Sequence, residues 1–306
     1  MNKTALVTGA AGAIGHHVVR TLVRRGWRVI GIGHGNPASD LQLADWVSGE
    51  IEATNLDRLT RQERPFAVLH LAGGSSVGPS ISSPEEDFRR TVETTKRLIE
   101  WIRVATPDTA LVQSSTAAVY GHAELVPIRE SEPKRPVSPY GQHKLLTEQI
   151  VAGAAREFNL NVVNLRLFSV YGPGLRKQLV WELCTRLARG TRELRLAGTG
   201  LESRDWLHIE DAAAMLVDAI SLAAPYAPVF NGCTGIGTSV SDVGRAVLTG
   251  FGVEAKLTFS GERRAGDPLH LVGDPAAARA AGLSAQIPVL SGLVATAREA
   301  KRILKL

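Results

Sequence analysis

The chain has only two cysteines, Cys184 and Cys233, in 306 residues. Two such thiols cannot build a disulfide framework and lack metal-ligand spacing, so no metal site is expected. A reducing, cytoplasmic setting follows, with both thiols as small core residues. No apolar run is long enough to span a bilayer. One lysine precedes the small-residue apolar stretch of the first twenty residues, as in a signal peptide, but the three glycines there fit a strand-turn-helix unit better. Internal repeats and low-complexity tracts are also missing, and so is a concentrated basic track. The 35 Lys+Arg against 30 Asp+Glu leave a net charge of +5, scattered apart from pairs such as Arg24-Arg25, Arg89-Arg90 and Arg263-Arg264. Nucleic acid is therefore not an expected partner, whereas a modest basic excess suits a small anionic ligand.

What is present begins with glycine. Residues 3–7 read as a short buried strand that runs into Thr8-Gly9-Ala10-Ala11-Gly12-Ala13-Ile14-Gly15. Gly9 permits the tight turn, Gly12 lets the backbone approach a pyrophosphate, and Gly15 lets the next helix pack closely on the strand. Val18, Leu22 and Val23 then recur at helical spacing, and residues 27–32 supply a second strand. The unit predicts a dinucleotide site whose phosphates meet helix N–H groups, with Ala11, Ala13 and Ile14 completing its wall.

A second pattern is Tyr140-Gly141-Gln142-His143-Lys144. Residues four apart on a helix face the same way, so the tyrosine and lysine can work on one substrate. Ser138 is a good N-cap and Pro139 suits the first helical position, which puts Tyr140 in the first turn. A phenol titrates near ~10 in water, and a neighbouring ammonium would lower that value enough for proton exchange with a hydroxyl or ketone. The spacing alone does not separate this reading from a solvated helix face.

Apolar strand-like runs at 67–71, 110–113 and 161–165 alternate with helical patterns near 85–105 and 139–158. This alternation predicts an α/β fold, a doubly wound parallel (Rossmann) sheet. After residue 165 the pattern fragments into a helix near 177–189, a Gly198-Thr199-Gly200 turn and short strands from 228 onward. The expected division is a dinucleotide-binding domain at 1–166, rejoined by 205–225, and a smaller mixed α/β substrate lobe at 167–306.

With these residues in view, the chain resembles the extended short-chain dehydrogenase/reductase family, in its nucleotide-sugar epimerase/dehydratase/ketoreductase branch, over nearly its whole length. The resemblance rests on the glycine turn at 8–15, His70-Leu71-Ala72-Gly73, the run 114–121 from Ser114 to Gly121, and Tyr140 with Lys144. It continues through Arg166–Pro173, Arg204–Asp211 and Arg264-Ala265-Gly266-Asp267. It implies that Thr116 is the catalytic Ser/Thr, bonding the reacting sugar oxygen beside Tyr140, with Ser115 in reserve. Lys144 is implied to hold the cofactor ribose, and Leu71, Ala72, Gly73 and Ser114 to line the cofactor. Arg204 and Arg264 are implied to hold the diphosphate of a nucleotide-sugar, Ser169 stands at a position that touches the substrate phosphate in relatives, and the sugar and base are implied to be read around Gln178, Trp181 and the loop after Gly198. Relatives pair through two helices matching 85–105 and 139–158, so a homodimer joined by a four-helix bundle is expected, with Leu98, Ile99 and Ile102 available for its seam or for their own sheet.

Departures from the family pattern narrow the reading. The second strand ends in Gly33-His34-Gly35 instead of an acidic residue, so a 2′-phosphate is not repelled there; His34, or one of Arg24, Arg25 and Arg28, could face it, and NADP is favoured over NAD. Thr91 stands where relatives commonly have asparagine, as does Ser169. Ala117 and Ala118 follow Thr116 where family dehydratases carry an acid/base pair, and neither moves a proton. Hydride transfer at the sugar C4 remains. A 4-ketoreductase consuming NADPH is the leading expectation, a 4-epimerase with retained NAD the alternative, and a non-catalytic dinucleotide sensor is disfavoured because Thr116, Tyr140 and Lys144 are all kept.

Overall fold

The computed structural model describes residues 3–61, 63–262 and 269–304. The first half alternates strand and helix: β1 (Thr4–Thr8), α1 (Ala13–Arg24), β2 (Arg28–Gly33), β3 (Asp45–Ser48), α2 (Ala53–Thr60), β4 (Ala67–His70), α3 (Val77–Ser82), α4 (Pro84–Phe88), α5 (Thr94–Ala105), β5 (Ala110–Thr116), α6 (Pro139–Phe158) and β6 (Val162–Leu167). There follow β7 (Ser169–Tyr171), α7 (Gln178–Ala188), β8 (Glu193–Leu196), β9 (Ser203–His208), α8 (Ile209–Asp218), β10 (Val229–Gly232), β11 (Gly237–Ser239), α9 (Val240–Phe251), β12 (Lys256–Phe259), β13 (His270–Leu271), α10 (Ala276–Ala280) and α11 (Val289–Ile303).

Among the described residues, seven parallel strands form one sheet in the order β10-β6-β5-β4-β1-β2-β3. Strands β1, β4 and β6 are buried at every position, as their unbroken apolar runs require when helices cover both faces. On one face α1 and α8 pack through Val18, Leu22, Met215 and Leu216; on the other, α5 and α6 pack through Leu98, Ile102, Val151 and Ala155. Chain order reverses between β1 and β4, and a crevice opens beyond the carboxyl ends of the strands at that point, where ligands bind in such sheets.

Three sequence expectations need correction. Residues 229–232, assigned to the smaller lobe, form β10 and pair with β6 at the edge of the main sheet, from Val229 opposite Asn164 to Gly232 opposite Leu167. The 85–105 helix is not continuous: α4 and α5 are joined by a π-helical turn at Arg89–Glu93. Leu98, Ile99 and Ile102 all pack in the protomer's own core, so they form no seam. A separate apolar cluster gathers α7, α9 and α11 around Leu183, Val247, Phe251 and Leu293. No helix among the described residues is long and apolar enough to cross a membrane.

Candidate active site

The glycine turn is shaped by what a side chain would hit. Gly9 has φ +68°, and a Cβ there would lie 2.9 Å from the Ala72 amide nitrogen. On Gly15 a Cβ would be only 2.2 Å from the Gly9 carbonyl oxygen. Gly12 is the N-cap of α1, which has neither a side-chain cap nor an acid in its first turn, so its leading N–H groups stay available to an anion. Residues 71–73 face this turn and are tied to it by a directed hydrogen-bond chain. Leu71 and Ala72 N–H donate to Thr8 Oγ1 at 3.1 and 3.2 Å, and Thr8 Oγ1 lies 2.7 Å from His70 Nδ1. His70 Nε2 is 3.0 Å from Thr95 Oγ1, whose proton goes to the Thr91 carbonyl at 2.7 Å. Thr95 must therefore accept from Nε2–H, leaving Nδ1 to accept from Thr8. That requires a neutral imidazole, and burial, reinforced by the Lys144 charge, pushes the His70 pKa down to about 3.

The carboxyl end of β5 and the start of α6 carry the reactive groups. Ser138 caps α6, accepting from Gly141 N–H at 3.2 Å, and Tyr140 N–H donates to Ser80 Oγ at 3.1 Å, so the tyrosine backbone is fixed from two sides. Thr116 is near enough to the Tyr140 phenol to hold its pKa down against burial, and its hydroxyl accepts from Ala118 N–H at 3.2 Å. Thr116 thus caps a turn and faces the tyrosine at once. Lys144 is buried and donates from Nζ to the Ser114 carbonyl at 3.1 Å. Desolvation lowers its pKa to about 8, against the raising effects of Asp87 and Glu148. The expected lowering of the Tyr140 phenol by Lys144 is not observed. Burial raises the phenol and Asp87 adds to that, while Thr116 lowers it. The ammonium is instead directed at the Ser114 carbonyl.

These groups share one cleft of about 850 Å³, within the roughly 300–1,000 Å³ of small-molecule sites. Gly9, Ala11, Gly12, Ala13, Ile14, Gly15, His34, Leu71, Ala72, Gly73, Ser114, Thr116, Tyr140, Lys144, Ser169, Gln178 and Arg204 all line it. Ser115 reaches its wall as well, but the hydroxyl donates inward to Glu148, so it cannot replace Thr116. Arg264 lies outside the described residues. Gln178 opens α7 at φ +65°, a strained conformation for a side chain bearing a Cβ and one held only where surrounding structure imposes it. The Thr91 hydroxyl accepts from Gly74 N–H at 2.8 Å from within the π-helical turn.

Sequence reasoning missed Glu50. It follows β3, a strand too short to be recognised, and lines the cleft beside Gly33 and His34, its carboxylate 3.9 Å from His34 Nε2 and 3.3 Å from Arg89. A carboxylate therefore does stand at the end of the cleft where the second strand lacks one.

Comparison with known proteins fits this geometry. The model of the NAD dependent epimerase/dehydratase family matches residues 5–231. The chain belongs to that family. It is 34% identical over 289 residues to the UDP-glucose 4-epimerase of Azospirillum brasilense, covering 87% of this chain and 82% of that one. The UDP-glucose 4-epimerase of Thermotoga maritima, solved with UDP-glucose, superposes with a TM-score of 0.88 at 27% identity, covering 99% of this chain and 100% of that one. That of Brucella ovis, solved with NAD, gives 0.88 at 28% identity over 98% of each chain. The NADP preference expected from Gly33-His34-Gly35 is thus unsupported. Glu50 is the acidic residue that lines the cleft beside Gly33 and His34.

Proposed function

We propose that the protein is an NAD-dependent 4-epimerase of a UDP-hexose, in place of the ketoreductase favoured by the sequence. The observation that carries this reading is the gathering of Thr116, Tyr140 and Lys144 at the carboxyl end of β5 in one cleft with the glycine turn and Arg204. Gly9, Gly12 and Gly15 leave a cradle that side chains would fill, which fits a pyrophosphate. NAD bound there supplies a hydride acceptor that is regenerated within each turnover. Tyr140 takes the proton of the sugar C4 hydroxyl and later returns it, while the Thr116 hydroxyl holds the same oxygen in line. Lys144, donating to the Ser114 carbonyl, keeps further N–H donors for the cofactor ribose. Arg204 grips the diphosphate, a remote handle that leaves the sugar ring free to present either face.

Incubation with UDP-glucose should yield UDP-galactose without net accumulation of reduced cofactor, as followed by chromatography and nicotinamide absorbance. Stoichiometric NADPH oxidation with a nucleotide-linked 4-keto sugar, and no epimer from UDP-glucose, would return the reading to the ketoreductase.

Two predictions follow from the handles at either end of the cleft. Arg204→Ala removes a charge-assisted contact of roughly 1.5–3 kcal/mol, so KM should rise about 10- to 100-fold with kcat nearly unchanged, and calorimetric UDP affinity should fall in parallel. Glu50→Gln removes the carboxylate that disfavours a 2′-phosphate. Its affinity ratio of NAD to NADP, read by direct cofactor binding, should fall by about tenfold, the equivalent of ~1.4 kcal/mol.

A further inference from the structure

Among the described residues, two buried titratable pairs touch α6, Glu148 with Arg166 and Asp87 with His143. Asp87 of α4 and His143 of α6 meet at 2.6 Å, Oδ2 to Nδ1, with side-chain exposures of 7% and 14%. A carboxylate only accepts, so Nδ1 carries the proton. His143 comes three residues after Tyr140 and directly before Lys144, which sets it on the tyrosine's side of the helix. Space for the carboxylate depends on glycine: a Cβ on Gly74 would fall 2.0 Å from Asp87 Oδ1. Phe88 closes the pair edge-on, its ring centroid 5.3 Å from that of His143.

We propose that Asp87, anchored by His143, is a positioning residue that sets the protonation of the Tyr140–Lys144 pair. Its charge favours the ammonium of Lys144 against desolvation and favours the neutral phenol of Tyr140. The other groups facing the pair are differently engaged. Glu148, one helical turn along α6, also favours the ammonium but is bound to Arg166 of β6. His70 from β4 is held neutral, and β5 presents only the Thr116 hydroxyl and the Ser114 carbonyl. Asp87 thus acts on Lys144 from a contact with an imidazole, His143, whereas Glu148 acts from a contact with a guanidinium. Removing an anion makes each neighbouring proton easier to lose, so both groups should titrate at lower pH without it.

The activity arm of the test rests on the epimerase reading; the spectroscopic arm does not. Asp87→Asn is compared with the unmodified protein in the pH dependence of kcat/KM for UDP-glucose, and in near-ultraviolet titration of Tyr140, taken as the difference from Tyr140→Phe. Both limbs of the rate profile and the phenol titration should move to lower pH by about half a unit to one unit. A slower or less stable variant with unmoved limbs would make Asp87 a structural tie only, and a shift to higher pH would overturn the proposal outright. If the single variant does not fold, Asp87→Asn with His143→Asn retains an amide-to-amide bond and is read in the same way. Failure of the epimerase reading shows differently: the unmodified protein turns over no UDP-hexose, while the phenol titration still shifts.

Discussion

Tyr140→Phe should lower kcat by about 10²- to 10⁴-fold, the usual contribution of a positioned proton-transfer group, while leaving KM and cofactor affinity close to their starting values. The phenol acts on the atom where charge develops, whereas the diphosphate and the glycine turn hold parts of the ligands that do not change during the reaction. Stability should change little, because only a cleft-lining hydroxyl is removed. Rapid-quench turnover, calorimetric UDP binding and a thermal melt separate these outcomes. A variant that keeps full activity would show that Tyr140 is not the proton carrier. The raised phenol gives the pH dependence a sign: the active form pairs the phenolate with a charged Lys144, so activity should climb through neutrality and level off above about 8 as Lys144 begins to lose its charge.

The largest loss of stability is expected beneath the site. Arg166 of β6 and Glu148 of α6 form a buried ion pair, Nη2 to Oε2 at 2.6 Å and Nε to Oε1 at 2.9 Å. Arg166 also donates to the Tyr120 hydroxyl at 2.9 Å and to the Glu130 carbonyl at 3.1 Å, and Tyr120 passes its proton to Asn231 Oδ1 at 2.7 Å. With Ser115 donating to Glu148, the network joins β5, β6, α6 and β10. Glu148→Ala leaves a buried guanidinium without its counter-charge, at roughly 3–5 kcal/mol. The melting temperature should drop on the order of 10 °C. Replacing both partners together, Glu148→Leu with Arg166→Met, should recover much of that loss, because no charge is then stranded. If the double variant melts no higher than the single one, the remaining bonds of the network carry the stability and the ion pair does not.

The glycine turn was legible because its geometry is local: Gly9, Gly12 and Gly15 are dictated by clashes with atoms a few residues away or directly across the first strand. Tyr140 and Lys144 were legible for the same reason, since helical spacing alone puts them on one side. Lys144's true acceptor, the Ser114 carbonyl, and Ser115's inward turn toward Glu148 depend on the register of β5 against α6, which no short pattern encodes. Glu50 was hidden because β3 is four residues long and its value lies in standing beside β2. The seam residues Leu98, Ile99 and Ile102 were ambiguous by nature: an apolar helix stripe reads alike whether it meets its own sheet or another protomer.

The late return of the chain to its first sheet bears on how the molecule is made. Strand β10 pairs with β6 after an excursion of more than sixty residues, and α8 closes over α1 from nearly two hundred residues downstream. During synthesis the amino-terminal half therefore emerges with an open sheet edge and an apolar helix face that nothing yet covers. Such long-range closures form slowly, because loop entropy must be overcome before the contacts reward it. The first sheet is thus incomplete until about residue 232 has been made, so the two halves mature together and not in sequence.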